Sequence, residues 1–542
     1  MDSGATRNRA ERAEPHSTLP SPAERAALVV SGALLLASLA FTVHPWYEAR
    51  PDASLYLSTA RSLAAGEGYT YLGEPYTLRP PGFPLLVAGV IELAGLDFFA
   101  LHLLVSGFGV LGVAALCAWL LPRVGVTLAI ATACCVWLNP EFQRLCNNVM
   151  SDVPGAAGVL LCLLLDGRAR ARPSLRSEGL LGIAIGLVSL LRTASLLLIP
   201  AIALARFLDA PGRRSAAESA APESRGPTAA LRVAVCTGAA LLLALPWLVY
   251  ATAAAPQGAM DQTKIHSYAT AMLHEDQGDP HSRRLGLGEI LGRAPLRARQ
   301  IVEVLGSRLQ LHVAASPGEA EAGGVRGSPL FAAALLGALA LQMLRRRGAA
   351  EGFAVASLLV LLFYFGFGGR LLLPVYLIAL ASLVEVARDA ATAGLGGRVA
   401  TPLVAVAVLA LGIHDASRGS SVAERERTYE ALIAELSAVD AQLPENARVG
   451  TVRAFDYNAL LERRFYSLHR AALRHGVERG VEATVERYAL DTLVVGSTRN
   501  PLSRDIANYL GARYGEPQLA GGASIWRVRG PGTRIGVGSP RP

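Results

Sequence analysis

Long apolar runs recur along the first three quarters of the chain, parted by short polar stretches. They fall at 26–43, 99–121, 125–139, 153–166, 178–192, 194–208, 231–250, 329–344, 352–367, 371–387 and 400–413. As helices rising ~1.5 Å per residue, they cross or nearly cross a hydrocarbon core of ~30 Å. The pattern predicts a polytopic α-helical membrane protein with about eleven crossings. Gly and Pro inside the runs do not weigh against this, because both are ordinary in membrane helices.

After His414 the pattern changes. The stretch 423–442 has apolar residues at helical spacing, and Leu443-Pro444-Glu445-Asn446 makes a turn. The segments 448–452, 492–496 and 524–528 read as strands. The division predicted is therefore a tail over 1–25, a transmembrane domain over 26–413 and a small α/β domain over 414–542.

Charge orients the bundle. Arg123, then Arg168, Arg170 and Arg172, then Arg206, Arg213 and Arg214, then Arg345 to Arg347, then Arg388 and Arg398 follow every second run. The positive-inside rule puts all of them, and the tail with Arg7, Arg9, Arg12 and Arg25, in the cytoplasm. The C-terminal domain is then extracytoplasmic, and the protein is expected in the plasma (inner) membrane. One further apolar segment, 81–95, spans only ~22 Å as a helix. Counting it as a crossing would turn each later basic loop outward, so it is predicted to be a juxtamembrane or re-entrant helix on the outer side. The outer loops are 45–98, 139–152 and 251–328, and the polar linker 209–228 is cytoplasmic. The first run is followed by His44-Pro45-Trp46-Tyr47, which reads as an interfacial aromatic belt and not as a cleavage site.

Composition removes other classes. Hydrophobic residues make up 52% and charged residues 17%, too apolar for an ordinary soluble protein. The formal charge of +8 does not point to nucleic acid, because the cations sit at helix ends with no basic stripe among aromatics. Five cysteines lie in apolar runs, Cys146 lies in a loop, and no CxxC pair suggests a metal site. No phosphate loop or nucleophile elbow is seen in the C-terminal domain. No cofactor is indicated.

Candidate chemistry gathers in the outer loops. Asp52 stands where a helix begins and Gly66 where it stops, with Leu55, Thr59, Ala60 and Leu63 on one apolar face. A carboxylate there is favoured in its charged form and can accept a proton from a hydroxyl. It can equally be a helix cap, and the residues alone leave both readings open. Arg79-Pro80-Pro81 fixes an extended entry into the next apolar segment and aims a forked donor at headgroup level. A plain interfacial arginine is the other reading. Asp152, in Ser151-Asp152-Val153-Pro154, starts a later run on the same side and reads alone as a cap. Arg370 opens a run from the outer side, against the usual charge bias, which marks a functional candidate or a snorkelling side chain. Lys264, His266, Tyr268, His274, Glu275 and Asp276 match no metal spacing and read as loop residues.

Together these stretches resemble the GT-C superfamily of membrane glycosyltransferases, above all the bacterial branch related to protein O-mannosyltransferases and lipid A aminoarabinose transferases. Asp52, Tyr56, Ala60, Arg61, Leu63, Gly66 and Gly68 look like that family's first-loop signature. Arg79-Pro80-Pro81, Ser151-Asp152-Val153-Pro154 and Arg370-Leu371-Leu372-Leu373-Pro374 look like its later motifs, and Pro246-Trp247 also fits. Leu371 stands where an aromatic is usual. Ala53 follows Asp52 where a second acid is sometimes found, which puts a metal requirement in doubt. The resemblance implies a polyprenyl-phosphate-linked sugar donor and an acceptor hydroxyl of a lipid, glycan or protein on the outer face. Asp52 would be the general base. Arg79 would hold the donor phosphate with Arg370 nearby, Asp152 would help position the acceptor or Arg79, and Tyr56 and Arg61 would lend support. A transporter or flippase of a lipid-linked sugar is the alternative, but it would use midplane polar residues and inverted repeats, whereas here the notable charges lie in outer loops and no internal repeat is evident. A scaffold presenting the C-terminal domain would leave Asp52 and Arg79 without purpose.

The sidedness has a direct test. In a chain free of native cysteines, a cysteine at Ser497 is expected to react with an impermeant reagent in intact cells. Labelling only after lysis would sink the eleven-crossing topology.

Overall fold

The computed structural model describes residues 20–208, 228–256, 258, 262–263, 265–309, 327–417, 422–496 and 500–528. The tail up to residue 19, most of the 209–228 linker, Lys264 and Ser497 lie outside them. The chain opens with α1 (Pro22–Thr42), α2 (Pro51–Ala64), α3 (Gly82–Ala94), α4 (Phe98–Val124), α5 (Val126–Leu138) and α6 (Pro140–Cys146). A hairpin of β1 (Thr70–Tyr71) and β2 (Glu74–Pro75) sits between α2 and α3. Next come α7 (Asp152–Ala171), α8 (Leu175–Leu191), α9 (Leu198–Leu208) and α10 (Ala229–Ala253). The short helices α11 (Tyr268–Leu273), α12 (Leu287–Leu291) and α13 (Ala294–Gly306) lead to α14 (Pro329–Arg346), α15 (Ala349–Phe363), α16 (Leu373–Leu395) and α17 (Gly397–Ala416).

Each of the eleven long apolar runs is helical, and two begin with a short 3₁₀ turn, Thr193–Leu197 before α9 and Gly369–Leu372 before α16. Among the described residues, six helices are long and apolar enough to cross a membrane: α1, α4, α10, α14, α17 and α16 with its 3₁₀ turn. Local chemistry sets their ends. At α1, Ser21 and Glu24 bond reciprocally to each other's backbone N–H, closing a capping box. At α4, the Asp97 carboxylate accepts from Phe99 and Ala100. The run expected to continue to residue 367 leaves the helix at Phe363, and Gly366, Gly368 and Gly369 follow. The carbonyls of Phe363, Tyr364 and Phe365 are instead taken up by Arg293 and Arg297.

Small residues let the helices close on one another, as packing without a hydrophobic drive requires. A Cβ at Gly182 of α8 would come within 2.2 Å of the Cys236 carbonyl of α10. Gly112 of α4 faces Ala157 of α7 in the same manner. At the far end of α7 and α8 from Asp152, Arg206 pairs with Asp166 at 2.6 Å and Glu178 at 3.0 Å, and Arg232 pairs with Glu178 at 2.6 Å. Beside them, Glu385 takes Arg123 at 3.2 Å and Arg346 at 2.7 Å. These buried pairs fasten seven helices at the end where the charge bias places the cytoplasm.

The C-terminal part holds α18 (Val422–Asp440), β3 (Val449–Thr451), α19 (Ala454–Leu460), β4 (Phe465–Ser467), α20 (Leu468–His475), α21 (Val477–Tyr488), β5 (Thr492–Val495), α22 (Pro501–Tyr514), β6 (Gln518–Ala520) and β7 (Ala523–Arg527). The strands form one mixed sheet in the order β4-β3-β5-β7-β6, with β3 parallel to both neighbours and β7 antiparallel to both of its own. This part docks on the first loop: Arg61 donates to the carbonyls of Asn458, Ala459 and Leu461, and Arg464 pairs with Glu67 at 3.2 Å.

The α8–α10 contact makes a stability prediction. Gly182→Val is expected to lower the melting temperature of the purified protein by several degrees, since overpacking costs ~1–3 kcal/mol. Gly179→Ala on the same helix meets only an ordinary 3.8 Å contact and should change little. Equal melting temperatures would mean the two helices are not held this closely.

Candidate active site

The site begins with the first turn of α2. Arg50 occupies the N-cap position and makes no side-chain cap, Pro51 starts the helix, and Asp52 is its second residue. Asp52 therefore does not cap the helix as its position suggested. Its carboxylate is taken on one oxygen by the guanidinium of Arg79 and on the other by that of Arg370. Arg79 is 9% exposed, also donates to the Asp52 carbonyl at 3.3 Å, and lies with Cζ 4.7 Å from the centre of the Tyr56 ring. The Tyr69 hydroxyl donates to the Arg79 carbonyl at 2.9 Å, which fixes the backbone ahead of the two prolines.

Arg370 projects from the 3₁₀ turn before α16. Its Nε lies 3.7 Å from an Asp152 oxygen and its Nη1 lies 2.9 Å from the Met150 sulfur. Asp152 opens α7 and takes Arg192 at 2.5 Å. The preceding Ser151 hydroxyl is 2.7 Å from the Tyr56 hydroxyl, which ties the start of α7 to α2. The result is an alternating string, Arg79–Asp52–Arg370–Asp152–Arg192, with one more cation than anion. Burial raises the Tyr56 phenol above its ordinary range, so it stays a neutral donor and ring platform. Burial alone would lower the Arg79 guanidinium, but the negative field around it, Asp152 included, holds it above its ordinary range.

The structure thus brings Asp52, Tyr56, Arg79, Asp152 and Arg370 together. Tyr56, four residues past Asp52, shares its helix face. Arg61, nine residues past it, turns ~180° away and reaches the C-terminal part instead. Arg192 went unnoticed in the sequence reading. Its signal was the same as that of Arg370, a lone arginine where two apolar runs meet on the acidic side. Gly155 makes its room, because a Cβ there would come within 2.9 Å of the Arg192 side chain.

Two further features lie around α2. Glu48 binds Arg144 through both oxygens and Arg50 at 3.0 Å, and burial pushes nearby Glu141 up to about 7. This cluster anchors the chain just ahead of Asp52. On the far face of α2, where Arg61 points, a cavity of about 380 Å³ opens toward the C-terminal part, lined by Ser58, Arg61, Thr70, Asn458, Glu462 and Arg464 among others and by none of the five charges of the string. Ser58 stands ~9 Å along α2 from Asp52. Among the described residues, no group of three or more His, Cys, Asp or Glu comes together as a metal site.

No family model matches the chain, and no curated protein matches it by sequence. Solved structures do match. ArnT from Cupriavidus metallidurans in the apo state is similar over 93% of this chain and 98% of its own, at 14% identity and TM-score 0.58. The same protein bound to undecaprenyl phosphate matches over 92% and 98%, at 15% identity and TM-score 0.57. The Archaeoglobus fulgidus oligosaccharyltransferase tethered with an acceptor peptide matches over 87% of this chain and 68% of its own, at 14% identity and TM-score 0.50. Both proteins are members of the GT-C superfamily, and this chain has their fold.

The Asp152–Arg192 pair is buried, and breaking one side of such a pair costs about 3–5 kcal/mol. Arg192→Met should therefore lower the melting temperature clearly, while Arg192→Met with Asp152→Leu should recover much of the loss. A double variant no more stable than the single one would show that the two side chains are not coupled.

Proposed function

We propose, from the shared GT-C fold, that this chain is a membrane glycosyltransferase. It moves a hexosyl or pentosyl group from a polyprenyl-phosphate-linked donor to an acceptor hydroxyl of a lipid, glycan or protein on the outer face of the membrane. The observation that carries the reading is the Asp52 carboxylate held between two arginines at one end of the helix bundle. Two further observations support it. One similar structure is of a protein bound to undecaprenyl phosphate, and the other has an acceptor peptide attached. The reading includes about eleven crossings, a cytoplasmic N-terminus and an extracytoplasmic C-terminal part.

The chemistry follows from the residue types. The acceptor oxygen attacks the anomeric carbon and its proton passes to the Asp52 carboxylate. The bond from the anomeric carbon to the phosphate oxygen breaks, and its electron pair stays on the lipid phosphate. That leaving group is an anion as it departs, so it needs cations and not an acid. Arg79 and Arg370 supply them, strengthening their hold as charge builds on the phosphate. Asp152, fixed by Arg192, holds Arg370 from behind and lies on the acceptor side. No nucleotide site is required, because the donor arrives within the membrane. A transporter of the same lipid would show donor binding but form no glycosidic bond.

The test is product formation and donor affinity in purified protein. Asp52→Asn should fold but lose about 10²–10⁴-fold in turnover. Arg79→Ala should weaken donor binding and slow turnover, and Arg79→Lys should restore part of both, keeping the charge without the fork. Wild-type kinetics in Arg79→Ala would remove the phosphate assignment. Near-normal turnover in Asp52→Asn would remove the base.

A further inference from the structure

The two arginines assigned to the donor phosphate are already occupied. Both oxygens of Asp52 are engaged, one by Arg79 and one by Arg370, and the same carboxylate is the only base the reading offers. A carboxylate and a phosphate monoester or diester present guanidinium with the same geometry, two coplanar anionic oxygens. They cannot both hold the same forks. A base locked in two ion pairs is also a poor proton acceptor, because both arginines favour its charged form.

We propose that Asp52 is a place-holder for the donor phosphate as well as the base: the incoming lipid phosphate displaces its carboxylate from Arg79 and Arg370, and only that exchange frees it to take the acceptor proton. The inference rests on the function proposed above. It adds an order to the reaction, donor before acceptor, and it guards the site, since the base is free only when a phosphate is present.

The pieces around the string suit the exchange. Asp52 is the mobile member, on the second residue of a helix with no cap bond of its own, and its side chain is 25% exposed. The arginines have fixed frames. Arg79 is held by Tyr69 through its carbonyl and lies against the Tyr56 ring. Arg370 is flanked by Asp152 and the Met150 sulfur. Asp152 has its own partner in Arg192 and stays behind when the exchange occurs. After sugar transfer the lipid phosphate leaves, Asp52 gives its proton to water, and its carboxylate closes on the arginines again.

A closed place-holder lowers apparent donor affinity by the fraction of time the site is open. Removing it should therefore tighten binding even as it abolishes turnover. The experiment measures binding of undecaprenyl phosphate to detergent-purified wild type, Asp52→Asn, Asp52→Ala, Asp152→Asn and Arg79→Ala. Two Asp52 variants are used so that a folding defect in one does not decide the outcome. The expected result is at least about tenfold tighter binding in both Asp52 variants, as for a site closed nine-tenths of the time. Asp152→Asn should stay within about threefold of wild type. Unchanged or weaker binding in the Asp52 variants would overturn the place-holder and leave the proposed function standing. An equal gain in Asp152→Asn would also overturn it, since that is the mark of a general field and not of an exchange. Absence of saturable binding in wild type, or wild-type affinity in Arg79→Ala, would instead remove the phosphate site and the function built on it.

Discussion

Four distant parts of the chain meet in one alternating string of charge. The first loop gives Asp52 and Arg79, the start of α7 gives Asp152, the junction after α8 gives Arg192, and the turn before α16 gives Arg370. Each of these side chains is at least three-quarters withdrawn from water, and an isolated buried charge would cost several kcal/mol. Alternation removes most of that cost, because every interior member has an opposite neighbour on both sides. The same arrangement restricts the geometry. Moving α7 against α16 or α2 would strand a carboxylate or a guanidinium, so the helix ends are held in register by electrostatics where apolar packing alone would let them slide.

The opposite end of the bundle uses the same device for a different purpose. Glu178 and Glu385 are each shared by two arginines, with Asp166 as a further acid on Arg206. The acids of those clusters are buried, and the clusters act as fasteners. The Asp52 string carries a surplus cation and includes a carboxylate that is a quarter exposed. Charge pairing is common to both ends. Partial exposure and imbalance distinguish the candidate site from the clamp.

Much of this was legible in the sequence, for specific reasons. The apolar runs become helices because nothing else satisfies the backbone in lipid, so composition and length suffice. Asp52 and Asp152 stood out as acids at helix starts on the outer side, Arg79 as a forked donor set by two prolines, and Arg370 as a cation on the side the charge bias makes unusual. Which of them meet could not be read, since it depends on the packing of α2, α7 and α16. Arg61 shows the cost: it stands in the same motif as Asp52, yet the helix turns it to the far side, where it serves the C-terminal contact. Arg192 was missed because two adjoining apolar runs made it look like a break between helices. The choice between cap and ion pair was open in the sequence for a related reason. Asp52 and Asp152 both stand at helix starts, where a carboxylate can bond backbone N–H, but a guanidinium in a dry site is the stronger partner.

That competition bears on what the surplus cation is for. With two carboxylates among three arginines, the string is charged before anything binds. A neutral ligand would leave the surplus buried and uncompensated. An anionic ligand with one formal charge neutralises it, provided that Asp52 moves aside without leaving the neighbourhood. A lipid phosphodiester carries that single charge before transfer. In the proposed reaction the charge on the phosphate would grow toward two as the sugar leaves, while the Asp52 carboxylate would lose its own by taking the acceptor proton. The sum over the site would then stay near constant through the proposed reaction, which is the condition under which a buried, fixed set of dipoles and charges stabilises a transition state with little reorganisation.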